Sequence, residues 1–271
     1  MLYVAIALVC IVVGYLFLLK PNTGRREELK PFEDTFIAHR GFFDYEDAPE
    51  NSMPAFERAV EKGFGIELDV QTTSDGELVV FHDANLDRMC GVDKKLTDCT
   101  LAELEQFTLG KSNEKIPRYR DVLAMIDKKV PLLIEIKPEG DYIGTIEKVT
   151  EMMKDYDGIY CVQSFEPRVL VWLKKNRPEI LRGQLAMNFW FSNIELNFFE
   201  KILLSNLLLN FYAKPDFISY KQKHATQLSY VICRKLFNVE NAGWTIRSQK
   251  QLNRAKKTFQ IMIFDNFEPK K

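Results

Sequence analysis

The sequence predicts an α/β domain of parallel architecture, of a length suited to a (β/α)8 barrel, behind one transmembrane helix. Three observations predict it. Strand-like and helix-like stretches alternate from residue 35 to the C-terminus, which is the pattern of successive βα units. The first nineteen residues, MLYVAIALVCIVVGYLFLL, carry no charged side chain. The 271-residue chain is also long enough to bury one large core behind such a segment. The chain therefore divides into an anchor (1–20), a polar connector (21–34) and a barrel-sized domain (35–271).

The opening run would reach about 28 Å as a helix, close to the thickness of a bilayer's hydrocarbon core. An uncleaved anchor fits better than a signal peptide, because no basic residue precedes the run and no small-x-small cleavage site follows it. Lys20, Arg25, Arg26 and Lys30 come directly after it, so the positive-inside bias places the main domain on the cytoplasmic face of the cell membrane. The cysteines agree with a reducing compartment. There are five, without a C-x-x-C pair, and Cys90 with Cys99 is the one local pairing worth weighing.

After the connector, Thr35 to Ala38 forms a short apolar strand that ends at His39-Arg40-Gly41. Asn51 or Ser52 caps a helix with Pro54 in its first turn, and Gly63 and Gly65 stop that helix before the strand GIELDV. The run ELVVFHD follows the Asp75-Gly76 turn, where a hairpin competes with a barrel strand. A turn-rich segment with a short helix at 101–107 leads to a helix at Tyr119–Ile126 and the strand VPLLIEIKP. Helices at 141–155 and 166–175 alternate with strands at 159–163 and 181–186. DFISY, a helix at 223–237, NAGWTI, another helix and QIMIFD complete the chain. That makes nine strand candidates for eight barrel places, with DFISY the expected outsider. Residues 189–215 are dense in Phe, Leu and Trp190 yet broken by polar residues. They read as a helical excursion packed on the domain, or as an apolar lip resting on the membrane.

Composition narrows the function classes. With 37 Lys+Arg against 38 Asp+Glu there is no global charge to attract nucleic acid, and no extended heptad pattern points to a protein partner. The informative feature is where the polar residues fall. His39, Glu67, Asp69, His82, Glu135 and Lys137 all close apolar runs or sit near their ends. Alternate side chains of a strand share a face, so Glu67 pairs with Asp69, and Glu135 with Lys137. In a (β/α)8 barrel those ends converge on one mouth. Three carboxylates there repel one another unless a cation or protons relieve the charge, and Mg²⁺ or Ca²⁺ accepts such oxygen ligands. Two histidines beside them suit proton transfer near neutrality, while Arg40 and Lys137 suit phosphate oxygens.

HRG at 39–41, PEN at 49–51, IELDV at 66–70, DGELVVFHD at 75–83 and IEIKP at 134–138 resemble, in this order, the signature of the glycerophosphodiester phosphodiesterase family. Ser164-Phe165 and Trp244-Thr245 are similar to weaker landmarks of the same family. The resemblance implies a TIM-type barrel with a small insertion after His82. It implies hydrolysis of a glycerophosphodiester to sn-glycerol 3-phosphate and an alcohol with one divalent cation. By motif, His39 and His82 become the acid/base pair, and Glu67, Asp69 and Glu135 the metal ligands. Arg40, Glu50 and Lys137 fall on the substrate side, with Phe165 and Trp244 lining the glycerol and headgroup pocket. The chain departs from the family in ENS for ENT, WTIR for WTVN and IFDNFEP for an ending like TDYP, which opens the headgroup preference. The rival readings are a lysophospholipase D acting on membrane lysophospholipids, a cyclising lyase and a non-catalytic membrane-bound headgroup-binding protein.

Overall fold

The computed structural model describes residues 1–270. Eight strands close into a parallel barrel in the order β1 (Phe36–His39), β2 (Gly65–Thr72), β4 (Leu132–Ile136), β5 (Tyr160–Ser164), β6 (Arg182–Ala186), β7 (Phe217–Lys221), β8 (Glu240–Ile246) and β9 (Ile261–Phe264). Ile37 pairs with Gly65 on one side and with Ile263 on the other, which closes the ring. Apolar faces of the surrounding helices, such as Phe56 and Ala59 of Met53–Glu61, pack against the outward side chains of the strands.

The ninth strand, β3 (Leu78–Val80), lies outside the ring. It runs antiparallel to β2, with Val80 opposite Val70, because the Asp75-Gly76 turn closes a hairpin there with Gly76 at φ +87°. DFISY, expected to be the outsider, is instead β7 and sits between β6 and β8. Residues 84–117 form the insertion after His82 and bury their own small cluster around Leu86, Leu96 and Leu104. All five cysteines are free thiols.

Residues expected to form a polar connector do more than connect. Arg26–Glu33 is a helix, and its Leu29 and Phe32 are fully buried against Ile37, Phe217 and Ile263, closing the N-terminal end of the barrel. Two apolar side chains three apart in a charged segment were enough to make this plug, since they share one helix face. Phe32→Ala is expected to cost about 3–5 kcal/mol of stability through the cavity it leaves, measured by denaturant unfolding.

The apolar helix Leu2–Leu19 projects from the domain, with side chains exposed along nearly its whole length. Only its end is docked. Leu19 is buried, Phe17 meets the ring of Phe211 at 5.6 Å, and the Asn210 amide donates to the Leu19 carbonyl at 3.1 Å. The excursion at 189–215 packs inward through Phe189 and Leu207 and turns Trp190, Phe191, Phe198 and Phe199 to the outside.

Candidate active site

The first strand brings His39 to the barrel mouth and then turns sharply. Arg40 and Gly41 both take positive φ, +59° and +82°. A Cβ at Gly41 would stand 2.9 Å from the backbone of Ala55, so glycine is required by contact as well as by φ. The turn aims the Arg40 N–H at Glu67 Oε2, 3.1 Å away. The segment after it clamps the turn: Asn51 N–H donates to the Arg40 carbonyl at 2.9 Å, and its side-chain amide donates to Asp69 Oδ2 at 2.9 Å. Glu50 grips the Arg40 guanidinium at 2.7 Å and that of Arg88 at 2.6 Å. Ser52 caps the helix that follows. The Pro-Glu-Asn-Ser stretch thus holds Arg40 and Asp69 in place, and Glu50 lies behind Arg40, outside the set of residues that line the cavity.

Strand register assembles the carboxylates. Asp69 on β2 stands opposite Glu135 on β4, and Glu67 lies one pleat below Asp69 on the same face. All three are buried, and each offers an oxygen within 4.8 Å of the others. Lys137 is buried with them, 2.8 Å from Glu135 Oε1 and 3.4 Å from Asp69 Oδ1. Burial, with the charges of Asp69 and Glu135, pushes the Glu67 carboxyl well above the usual carboxylate range. Burial also raises Glu135, against the pull of Lys137. For Asp69 burial is outweighed by Lys137, His82, Arg40 and the Asn51 amide, so it stays ionised. Asp69 Oδ1 has no hydrogen-bond partner although it is buried. Three buried carboxylates converging on one space, one of them driven upward by burial and by its neighbours' charges, fit a hard divalent cation that would relieve their repulsion.

The two histidines face the same cavity, a space of about 290 Å³. Burial, with the neighbouring Arg40 charge, pushes His39 down to about 4. Its ring is therefore neutral at physiological pH, and with Nδ1–H donated to Asp265 at 3.4 Å it presents Nε2 as an acceptor. His82 Nδ1 lies 2.6 Å from Asp83 Oδ1. Burial would raise the Asp83 carboxyl, but hydrogen bonds from His82 and Arg88 outweigh it and hold it low, leaving a carboxylate that orients the His82 ring. Phe165 and Trp244 line the far wall, edge to face at 5.7 Å.

The Glycerophosphoryl diester phosphodiesterase family matches residues 39–258, from the first of these histidines to beyond the last barrel helix. The chain belongs to that family. As a member of the glycerophosphodiester phosphodiesterase family it is a phosphoric diester hydrolase. It is 37% identical over 224 residues to YhdW of Bacillus subtilis (strain 168), named for the same activity, a match spanning 79% of this chain and 86% of YhdW. It is 40% identical over 144 residues to the glycerophosphodiester phosphodiesterase of Caldanaerobacter subterraneus, covering 50% of this chain and 56% of that one. Among solved structures, an Oleispira antarctica phosphodiesterase in complex with the product sn-glycerol-3-phosphate is similar, with a TM-score of 0.69 at 25% identity. The match covers 85% of this chain and 92% of that one. The Thermotoga maritima glycerophosphodiester phosphodiesterase shares the fold, with a TM-score of 0.64 at 23% identity over 85% and 94% of the two chains.

Several residues of this phosphodiesterase-family site were not singled out from the sequence. Asp265 orients His39 and also takes Arg247 at 2.9 Å. Arg88 ties Glu50 to Asp83. Gln163 stands opposite Glu135 in the register and reaches Glu67 Oε1 at 3.4 Å. Asp265 and Gln163 follow the same rule that picked out the others, a polar side chain near the end of an apolar strand. Arg88, in the insertion, carries no such mark.

Proposed function

We propose that this chain hydrolyses glycerophosphodiesters to sn-glycerol 3-phosphate and an alcohol, with His39 as base, His82 as acid and one Mg²⁺ or Ca²⁺ on Glu67, Asp69 and Glu135. The observation that carries the reading is the buried carboxylate trio at the barrel mouth with two oriented imidazoles on the same cavity. A bound divalent cation would supply charge stabilisation for the nonbridging phosphate oxygens. The chain's own groups do the rest. Nε2 of His39 accepts the proton of the attacking hydroxyl, and His82 gives one to the departing oxygen. Arg40, held by Glu50 and Asp69, and Lys137 offset charge on the phosphate. Phe165 and Trp244 shape the space for the glycerol and the alcohol. The attacking hydroxyl belongs either to water or to the substrate's glycerol, by way of a cyclic phosphate. Isotope incorporation from labelled water, with a search for the cyclic product, separates the two routes.

The test is one assay of purified, detergent-solubilised protein on glycerophosphocholine and glycerophosphoethanolamine, with Mg²⁺, Ca²⁺ or chelator. Release of sn-glycerol 3-phosphate with the free alcohol is expected, and no release from either substrate with either cation would reject the reading.

A second reading, lysophospholipase D, is favoured by a neighbouring groove. It has a volume of about 350 Å³ and runs from His82, Lys137 and Phe165 to Phe189, Ile194, Leu196 and Leu204. These apolar walls lead to the exposed aromatics of residues 190–199, and the helix Leu2–Leu19 docks on the end of the same excursion. That helix serves as a single-pass anchor in the cell membrane with the barrel on the cytoplasmic side, where a lysophospholipid in the bilayer can lay its acyl chain along the groove. Ile194→Glu is expected to lower release of lysophosphatidic acid from lysophosphatidylcholine about tenfold relative to release of glycerol 3-phosphate from glycerophosphocholine. An unchanged ratio of the two products argues against acyl binding there.

A further inference from the structure

The cavity carries one sign of charge on the side away from the carboxylates. Lys221 ends β7, Lys223 follows it, and Arg247 follows β8, and all three line the same cavity as His39 and Glu67. In the eight-strand ring β7 stands four places from β2, and β8 four places from β4. The cations thus face Glu67 and Glu135 across the mouth. Arg247 is paired with Asp265, but neither Lys221 nor Lys223 has an acidic partner among the described residues. They are close enough to feel one another, since burial and the charges of Lys223 and Arg247 hold the Lys221 ammonium below the usual lysine range.

The aromatic wall sharpens this. Two rings beside a phosphodiester site would ordinarily attract a quaternary ammonium to their faces. Here the Lys221 ammonium already stands 5.8 Å from the centroid of the Trp244 ring. A cationic headgroup entering this space meets an occupied ring face and two unpaired like charges, whereas an anionic group meets partners that lack one.

We propose that Lys221 and Lys223 select glycerophosphodiesters whose alcohol carries a further anionic group, such as a carboxylate. This rests on the phosphodiesterase reading above. A phosphate held near the carboxylates, Arg40 and Lys137 leaves the alcohol end of the substrate to reach across the mouth to the two ammonium groups. The bland function for these lysines, solvation of a loop, predicts no difference between substrates.

Glycerophosphoserine and glycerophosphoethanolamine differ by one carboxylate and are the probes. With the full-length protein in detergent and Mg²⁺, kcat/KM for the serine diester is expected to exceed that for the ethanolamine diester roughly fivefold or more, as two partly exposed charge pairs allow. The ratio falls toward one in Lys221→Gln/Lys223→Gln and at high salt. Faster turnover of the ethanolamine diester overturns the proposal, as does an unchanged ratio in the double variant. An equal loss on both substrates also overturns it, because the lysines would then be serving the shared phosphodiester. If neither diester is cleaved, the phosphodiesterase reading fails separately. Calorimetric binding of the two diesters to His39→Ala protein then decides the charge preference, and equal affinity refutes it.

Discussion

Chelation of divalent cations is expected to abolish turnover, and Asp69→Ala and Glu135→Ala are each expected to lower it by about 10²-fold or more even in excess Mg²⁺. The magnitude follows from the geometry. Three buried carboxylates share a space in which their oxygens lie within 4.8 Å, with Lys137 and Arg40 in contact with them. The substrate phosphate is itself an anion, so it cannot approach that cluster without a further positive charge. A stability measurement gives an independent reading, because a ligand that binds only the folded state stabilises it by about 2.7 kcal/mol at a hundred times its Kd. For a chain of this size that corresponds to a rise in Tm of roughly 5–10 °C. Both variants should lose that rise. Full turnover in chelator, or a Tm indifferent to Mg²⁺ and Ca²⁺, would remove the cation from the account.

The second large effect belongs to the histidines. If the two act as the proposed acid and base, His39→Ala and His82→Ala are each expected to lower kcat by about 10²–10⁴-fold while KM changes little, because each would act on a proton in motion rather than on the resting substrate. The proposed roles rest on different environments. Desolvation and the neighbouring Arg40 charge hold His39 to about 4, which keeps its ring uncharged, and Asp265 accepts the hydrogen bond from its Nδ1–H. His82 has Asp83 at 2.6 Å on Nδ1, which fixes the orientation of its ring. Asp265→Asn therefore serves as a companion: the amide can donate to Nδ1 and turn the acceptor Nε2 into a donor, with an expected loss of tenfold or more. Circular dichroism of each variant confirms that the barrel remains folded. Near-normal kcat in either alanine variant would reject the acid/base assignment.

The site was legible from the chain to the extent that it depends on neighbours in sequence. Glu67 with Asp69, and Glu135 with Lys137, share a face because strand side chains alternate, and any strand imposes that. His39-Arg40-Gly41 reads as a turn at a strand end, and Gly41 proves to be the one residue type that clears Ala55. That residues Leu2–Leu19 form a continuous apolar helix follows from an uncharged run alone. The same locality explains the misplacement of DFISY. Nothing in DFISY or beside it tells whether that apolar run enters the ring, whereas the Asp75-Gly76 turn folds β3 back as a hairpin and leaves DFISY a barrel place.

Local chemistry in the chain thus settles which side chains can act and which of them point together, since alternation and charge belong to a few consecutive residues. Ring closure and register decide who meets whom. They set Asp69 opposite Glu135, bring Asp265 to His39 across 226 positions of sequence, and place Lys221 over Trp244. Those meetings depend on how eight strands tilt and pack around Leu29 and Phe32 at one end and the polar mouth at the other, and that packing is a property of the whole chain at once.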